Sequence, residues 1–193
     1  MGKELEQKQL IDWMTSYQSG NLEAFDSLYR QLKPALFQYL LYKTFNSSLS
    51  EDLLQESFLQ LHRSRRTYLP GKPVLPWALA IARNVFLMEA RSKRRRAMHE
   101  TGEQPTLPEA ATTAGLDRIA EREDLRRAFA KLSSEQREIL LMHHVWGLRF
   151  GEISGILGIL RTTAKLRSHR AIKNLRKILG VSDVTNALKG QNK

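Results

Sequence analysis

The amino-acid sequence predicts an all-α protein with two helical domains joined by a flexible acidic linker. Apolar residues recur at helical spacing along the 193 residues, and no segment alternates polar and apolar residues as a β-strand would. Composition changes sharply after Met98, where acidic residues, prolines and small residues interrupt the basic helical pattern. A helix, a tight turn and a basic helix follow near the C-terminus. We therefore expect domains at 1–97 and 117–180, a linker at 98–116 and a tail at 181–193.

The first domain is expected to contain a helix that Asn21 caps and that Pro34 bends or divides. The buried face of this helix is expected to comprise Phe25, Leu28, Tyr29, Leu32 and Leu36. Ser50 is expected to cap the next helix, with Glu51 and Asp52 favourable in its first turn. The buried stripe of that second helix is expected to comprise Leu54, Phe58 and Leu61.

The opposite face of the second helix carries acidic and amide side chains, namely Asp52, Gln55 and Glu56. In a strongly basic protein such a face suggests a protein partner rather than nucleic acid. A face that is merely solvated is the alternative.

Proline and glycine predict a loop at 68–75, after which Pro76 suits the first turn of a third helix. This helix is expected to carry Trp77, Ile81, Asn84, Val85 and Met88, and to end in the run Arg91-Ser92-Lys93-Arg94-Arg95-Arg96. Aromatic and amide groups interleaved with cations suit the unstacked bases of a single strand. Core packing of the Trp77 ring and a solvated helix end are the alternatives.

In the second domain helical periodicity resumes near Asp117, and Ser133 forms a capping box with Gln136. A helix at 150–157 is expected to end at Gly158, which permits a tight turn. Its inward side chains, with the residue that follows the turn, are expected to be Ile153, Ile156, Leu157 and Ile159.

The basic helix after this turn has two predicted faces. Its inward face is expected to comprise Ala164, Ala171, Leu175 and Ile178, and its outward face Lys165, Leu166, His169 and Arg170. Arginine or lysine can read guanine in a major groove, and apolar atoms can meet the thymine methyl. An ordinary amphipathic helix with a solvated basic face is the alternative.

Bulk composition favours a polyanionic partner, because the formal net charge is +11 and the isoelectric point is about 10.1. The absence of cysteine excludes disulfides, thiolate catalysis and cysteine-based zinc sites. No phosphate-loop, dinucleotide-binding, zinc-protease or serine-hydrolase motif is present, and His143 and His144 are expected to point in different directions. We therefore expect no catalytic residue, no metal and no cofactor.

The N-terminus is charged and lacks an apolar core, so it does not resemble a signal peptide. No apolar run approaches the ~20 residues that a membrane-spanning helix needs. We expect a cytoplasmic protein without membrane insertion.

Over about residues 20–180, these motifs resemble the extracytoplasmic-function group of sigma-70 family sigma factors of bacterial RNA polymerase. The segment Asp-Leu-Leu-Gln-Glu-Ser-Phe-Leu-Gln-Leu at 52–61 resembles the polymerase-binding helix of region 2. The segment Pro-Trp-Ala-Leu-Ala-Ile-Ala-Arg-Asn at 76–84 resembles the part that opens and holds the −10 element. The segment at 132–171 resembles region 4, which binds the −35 element.

The resemblance implies a protein that directs core RNA polymerase to promoter DNA, with the first domain as region 2 and the second as region 4. It implies contacts to the β and β′ subunits, a linker that threads the polymerase channel, and a cognate anti-sigma factor. The implied polymerase-binding residues are Asp52, Gln55, Glu56 and Phe58. The residues implied to bind the −10 element are Trp77, Arg83, Asn84, Arg91, Arg94 and Arg95, and the loop at 68–75 is implied to receive a flipped base. The residues implied to bind the −35 element are Arg161, Thr163, Lys165, Leu166, His169 and Arg170.

Four positions depart from the family pattern. His62 stands where tryptophan is common, and His143 stands where arginine is often seen. Leu160 stands where serine is common, and Leu166 stands where a small polar residue is common. Because Leu160 has no hydroxyl group, the recognition helix should start about 1 kcal/mol less favourably unless Thr162 or Thr163 compensates. These changes are expected to alter the −35 preference.

The sequence is compatible with two other functions. One is a two-module repressor or activator that does not bind core polymerase. The other is a nuclease or recombinase, which would require a cluster of metal-binding carboxylates that the sequence lacks.

Overall fold

The computed structural model describes residues 2–100 and 123–180, and within these ranges the chain forms helices and turns without β-strands. The all-α prediction is confirmed. The chain divides into two compact units, Met1–Pro108 and Glu109–Lys193. Most of the predicted linker at 98–116, the stretch from Asp117 to residue 122 and the tail at 181–193 lie outside the described residues.

The N-terminal unit contains four α-helices in its described part. They are α1 (Gly2–Gln18), α2 (Glu23–Thr44), α3 (Ser47–Ser64) and α4 (Val74–Glu100). A short 3-10 turn, Arg65–Thr67, follows α3. Helix α2 is central and contacts the three others. Its leucines at 28, 32, 36 and 40 are fully buried, and each such side chain contributes about 1.5–3 kcal/mol by leaving water.

Helix α1 is a feature that the periodicity did not predict. Most of its side chains are polar, and two apolar ones near its C-terminal end, Met14 and Tyr17, are fully buried. A short apolar stripe on a polar helix gives a weak sequence signal. The burial of these two side chains nevertheless makes α1 part of the core.

The start of α2 agrees with the prediction in its chemistry. Asn21 Oδ1 accepts a hydrogen bond from the backbone N–H of Glu23 at 3.0 Å, although Leu22 occupies the capping position itself. Pro34 is exposed and does not divide the helix, which continues to Thr44.

The prediction that Ser50 caps α3 is wrong, because α3 begins one turn earlier. Phe45 adopts a left-handed conformation with φ of 53° and ends α2, so the chain turns immediately before Asn46. Asn46 then caps α3, its Oδ1 accepting from the N–H of Leu49 at 2.9 Å. Ser50 lies inside the helix and donates its hydroxyl proton to the Asn46 carbonyl at 2.6 Å. Asp52 consequently lies in the second turn.

On the predicted buried face of α2 the leucines are buried, whereas Phe25 and Tyr29 are half-buried. The stripe of Leu54, Phe58 and Leu61 is buried. Helix α4 begins at Val74, two residues before the expected start, and Pro76 lies in its first turn as predicted. The helix is continuous through the arginine run and ends at Glu100.

The C-terminal unit contains α5 (Glu123–Ala130), α6 (Ser134–Leu140), α7 (Phe150–Leu157) and α8 (Arg161–Leu179) in its described part. A single π-helical turn, Leu141–Val145, follows α6. The predicted capping box is present, since Ser133 and Gln136 each accept a hydrogen bond from the other's backbone N–H at 3.3 Å. Leu157, Ile159 and Ile178 are half-buried rather than fully inward.

Replacing Asn46 tests which residue starts α3. Asn46→Ala removes the acceptor for the Leu49 N–H, so we expect the free energy of unfolding to fall by about 1 kcal/mol. Urea unfolding followed by helical circular dichroism measures the change. Ser48→Ala, at an exposed position in the same turn, is the control and should change little. Equal destabilisation by the two substitutions would contradict the assignment of the cap.

Candidate polymerase and nucleic-acid interfaces

The predicted polymerase-binding residues divide between the surface and the core of α3. Asp52, Gln55 and Glu56 are exposed on one face. Phe58 is only 5% exposed and packs against Tyr29 of α2, with ring centroids 4.5 Å apart. Phe58 therefore fixes α3 on its neighbour and does not belong to the exposed face.

Four of the six predicted −10 residues lie on one side of helix α4. Trp77, Asn84, Arg91 and Arg95 are seven, seven and four residues apart, so they fall on one side of the helix. Asn84 and the two arginines are exposed, and Trp77 is half-buried. The Trp77 ring packs against Tyr68 with centroids 5.4 Å apart, as the core-packing alternative suggested.

The other two predicted −10 residues lie about a quarter-turn away from this side of α4. Arg83 is half-buried and Arg94 is exposed. Farther along the helix, Glu89 pairs with Lys93 at 3.8 Å and with Arg96 at 3.5 Å. Glu89 therefore partly neutralises two cations of the basic run, and Arg91, Arg94 and Arg95 present their charge at the surface.

The structure places Glu56 of the predicted polymerase face and four of the predicted −10 residues on opposite walls of one groove. This groove between α3 and α4 has a volume of about 1070 Å³ and includes Glu56 on one wall and Asn84 on the other. Arg91, Arg94 and Arg95 line it farther along α4. Two methionines also line the groove and are exposed, Met88 by 67% and Met98 by 54%. No sequence pattern indicated this groove, because its walls come from different helices.

The loop before α4 has a fixed base and an exposed tip. Tyr68 is buried, donates its hydroxyl proton to the Lys72 carbonyl and has its pKa raised by that burial. The Lys72 N–H donates to the Leu69 carbonyl at 3.2 Å, which closes a turn. Gly71 has a φ of 81°, a conformation that favours glycine, and Leu69 at the tip is exposed.

His62, which departs from the family pattern, is exposed and connects α3 to α1. Its Nδ1 lies 2.5 Å from the hydroxyl oxygen of Tyr17. Arg65 lies 3.3 Å from the other ring nitrogen, which must accept because a guanidinium group only donates. His62 therefore donates to Tyr17 from Nδ1. Burial raises the pKa of Tyr17, and the positive charge of Arg65 opposes that effect.

The helix-turn-helix of the C-terminal unit has the predicted geometry. Gly158 ends α7 with a φ of 67°, and a Cβ atom there would meet nothing within 4 Å. Glycine is therefore favoured for its backbone conformation and not for space. Leu160 occupies the capping position of α8 without a side-chain hydrogen bond, as expected from its missing hydroxyl group.

The two predicted faces of α8 are present. Ala164, Ala171 and Leu175 are fully buried, and their neighbour Ser168 is buried as well. The predicted −35 residues Arg161, Lys165, Leu166, His169 and Arg170 are exposed, and Thr163 is half-buried. Because the methyl groups of alanine are small, α8 can lie close to α7 and α6 while its basic face remains in solvent.

Two polar contacts join α6 to the basic helix α8, and sequence reasoning missed them. Glu135 forms an ion pair with Arg167 at 3.2 Å. Asn174 donates to Gln136 Oε1 at 3.3 Å, so the residue that completes the capping box of α6 also contacts α8. The contacts lie seven residues apart along α8, about two helical turns. The capping box identified Gln136, but no sequence signal indicated its partner 38 residues later.

His143, a second departure from the family pattern, stabilises the approach to α7. Its Nδ1 donates to the Leu148 carbonyl at 2.9 Å, and its ring stacks on Phe150 with centroids 4.2 Å apart. The expectation that His143 and His144 point apart is wrong, because their rings meet edge to face at 4.7 Å in the π-helical turn.

Among the side chains that the structure describes, no three histidine, aspartate or glutamate residues form a group that could hold a metal ion. No helix in the described part of the chain has the length and apolar character needed to cross a bilayer.

Comparisons with known proteins agree with this arrangement. The family model for sigma-70 region 2 matches residues 28–96, and the model for sigma-70 region 4 matches residues 122–175. The RNA polymerase sigma factor CarQ of Myxococcus xanthus is 33% identical over 167 residues, which cover 86% of this chain and 95% of CarQ. The ECF RNA polymerase sigma factor SigL of Mycobacterium tuberculosis is 29% identical over 160 residues, covering 82% of this chain and 90% of SigL.

Two solved structures share the fold. The sigma factor RpoE of Bartonella quintana, solved in complex with the anti-sigma factor NepR, has a TM-score of 0.68 at 23% identity, with 84% of this chain and 100% of that chain covered. CnrH, solved in complex with the cytosolic domain of CnrY, has a TM-score of 0.64 at 19% identity, with 91% and 99% covered. With two units that match regions 2 and 4 and a relative aligned over nearly its whole length, the chain belongs to the extracytoplasmic-function group of the sigma-70 family of RNA polymerase sigma factors.

Proposed function

We propose that the chain performs its family's function, promoter-specific transcription initiation with RNA polymerase, through three surfaces on its two units. The observation that carries this proposal is the combination, in one chain, of the groove between α3 and α4 with the exposed basic face of α8. The protein itself is proposed to catalyse no reaction and to need no cofactor, since the polymerase performs the chemistry. Its place of action is the cytoplasm, where polymerase and promoter meet.

The proposed division of the chain assigns region 2 to residues 1–97 and region 4 to residues 117–180. The linker at 98–116 is proposed to pass through the nucleic-acid channel of the polymerase, where its acidic residues would stand in for phosphates. The tail at 181–193 has no proposed role.

The acidic face of α3 is proposed to bind the β′ clamp helices, with Asp52, Gln55 and Glu56 as the contacts. Their exposure on one face supports this role. Glu56 also lies 3.6 Å from Arg63, an exposed pair that contributes little to stability and can rearrange on binding. Phe58 contributes from inside, by holding the helix that displays these side chains.

The −10 element is proposed to bind along α4. Asn84 and the loop at 68–75 receive a flipped base, while Arg91, Arg94 and Arg95 hold adjacent phosphates and Arg83 flanks them. Trp77 acts through its packing on Tyr68, which fixes the base of that loop. Flipping costs a few kcal/mol of unstacking, so the receiving groups must be in place beforehand.

The −35 element is proposed to bind the outward face of α8. Arg170, His169 and Lys165 supply donors to base edges and phosphates, and the 48% exposed side chain of Leu166 suits a thymine methyl group. Arg161 and Thr163 lie at the start of α8, where they flank this face and reach phosphates.

An anti-sigma factor is a further proposed partner. The groove between α3 and α4 combines exposed methionines with charged walls, a surface that a regulatory protein could cover. Binding there would prevent contact with polymerase and with the −10 element together.

A repressor or activator that works without polymerase is the competing function. Pull-down of core RNA polymerase by the full-length chain separates the two functions, because only a sigma factor retains the core enzyme. Run-off transcription on genomic promoter fragments then identifies the promoters.

Reversing one charge on α3 tests the polymerase-binding face. We expect Asp52→Lys to weaken binding to core RNA polymerase by at least about ten-fold, because it puts a cation in an interface built for an anion. Fluorescence anisotropy of the labelled chain measures the dissociation constant. Asp12→Lys, an equal charge change at an exposed position on α1, is the control. Equal affinities of the two variants would argue against this face.

Arg170→Ala tests the −35 interface. We expect binding to a mapped promoter to weaken by about 1–3 kcal/mol and selectivity at one base pair of the −35 element to relax. Holoenzyme binding to a set of single-base promoter variants measures both effects. Lys177→Ala removes an equal charge near the exposed end of α8 and should weaken all the variants uniformly. An unchanged base preference in Arg170→Ala would refute the assignment.

A further inference from the structure

The last turn of α1 reaches the segment that joins α3 to α4. Gln18 is half-buried, and its Nε2 donates to the carbonyl oxygen of Arg65 at 3.0 Å and to that of Tyr68 at 2.9 Å. These two carbonyls bracket the 3-10 turn with which the segment begins. The family match to region 2 starts at residue 28, so Gln18 lies outside the part of the chain that the family pattern describes.

The two bonds define the orientation of the Gln18 amide. Both acceptors are carbonyl oxygens, so only the NH₂ group can satisfy them, and it uses both of its protons. The backbone N–H of Tyr68 also donates to the Arg65 carbonyl at 3.3 Å, which closes the turn that Gln18 spans. Gln18 thus fixes the backbone of the segment at two points three residues apart.

Tyr17 provides a second tie between α1 and the same segment. Its hydroxyl group contacts His62, and the Arg65 guanidinium lies 5.9 Å from the centre of its ring. Arg65 in turn donates to the His62 carbonyl at 2.8 Å. The start of the segment is therefore held by adjacent residues of α1, of which Gln18 reaches nearest to the loop.

These ties fix the base from which residues 69–72 project. Tyr68 is held through its carbonyl by Gln18 and through its ring by Trp77, and its hydroxyl group bonds to the Lys72 carbonyl. A loop held in this way loses less conformational entropy when a ligand binds it than a loop that must first be ordered. Loss of the Gln18 bonds would transfer that ordering cost to the binding step.

We propose that Gln18 is a positioning residue for capture of the melted −10 base. It acts through the backbone at Arg65 and Tyr68 and does not touch DNA. The inference rests on the proposed role of the loop at 68–75 in receiving the flipped base.

The test compares Gln18→Met with the matched control Gln31→Met, which makes the same change at an exposed position of α2. Holoenzymes assembled from full-length chains bind fluorescent non-template-strand oligonucleotides that span the −10 element of a promoter mapped by run-off transcription. Each −10 base is replaced in turn by an abasic site. The measured quantity is the ratio of dissociation constants, abasic over intact, at the position with the largest ratio.

We expect a ratio on the order of ten or more for the wild-type chain and for Gln31→Met. For Gln18→Met we expect a ratio at least about three-fold smaller, because the displaced loop gains less from the base. Affinity for core polymerase should stay unchanged. A folded Gln18→Met chain with the wild-type ratio would overturn the inference.

A ratio near one at every position of the wild-type chain would instead overturn base capture itself, and with it this inference. If Gln18→Met does not fold, Gln18→Lys decides, since its ammonium group can donate to both carbonyl oxygens. A wild-type ratio in that variant supports the role of the two donors, and a reduced ratio overturns it.

Discussion

The packing of Phe58 against Tyr29 is the contact on which the surfaces of the N-terminal unit depend. The two rings lie 4.5 Å apart, and Phe25 adds an edge-on contact to Phe58 at 6.1 Å. Such aromatic pairs contribute about 0.5–1.5 kcal/mol beyond their burial. Because this contact fixes which side of α3 faces α2, it also fixes which side carries the exposed acidic face. The groove between α3 and α4 exists because that orientation leaves one flank of each helix uncovered.

In the C-terminal unit, small side chains rather than aromatic rings hold the helix that carries the exposed face. Ala164 and Ala171 let α8 pack closely, so that its basic face can remain in solvent without an apolar gap beneath it. Glu135 and Gln136 then add polar contacts from α6 to α8. The buried alanine contacts of this unit are thus supplemented by two polar contacts at its surface. Gln18 likewise adds polar contacts from α1 to the segment before α4.

The departures from the family pattern have separate physical consequences. His62 stands in place of an aromatic tryptophan and His143 in place of a hydrogen-bonding arginine. Both still form hydrogen bonds within the fold, His62 with Tyr17 and His143 with the Leu148 carbonyl. Leu160 and Leu166 differ, because both are exposed and neither forms part of the core. The stability of the fold therefore depends little on these two leucines, and their effect is expected to be on DNA binding by α8.

The sequence by itself determined the all-α class, the position of α7, the capping box of α6 and the two faces of α8. Each of these is encoded over one to five helical turns, through periodicity and caps. Only the tertiary structure decided that Phe58 packs against Tyr29, that Asn46 and not Ser50 starts α3, and that α1 completes the core. It also decided the partners of Gln18, which lie 47 and 50 residues away along the chain. Helical periodicity states which side of a helix is apolar. It does not state which other helix covers that side, because that choice depends on contacts between segments distant in sequence.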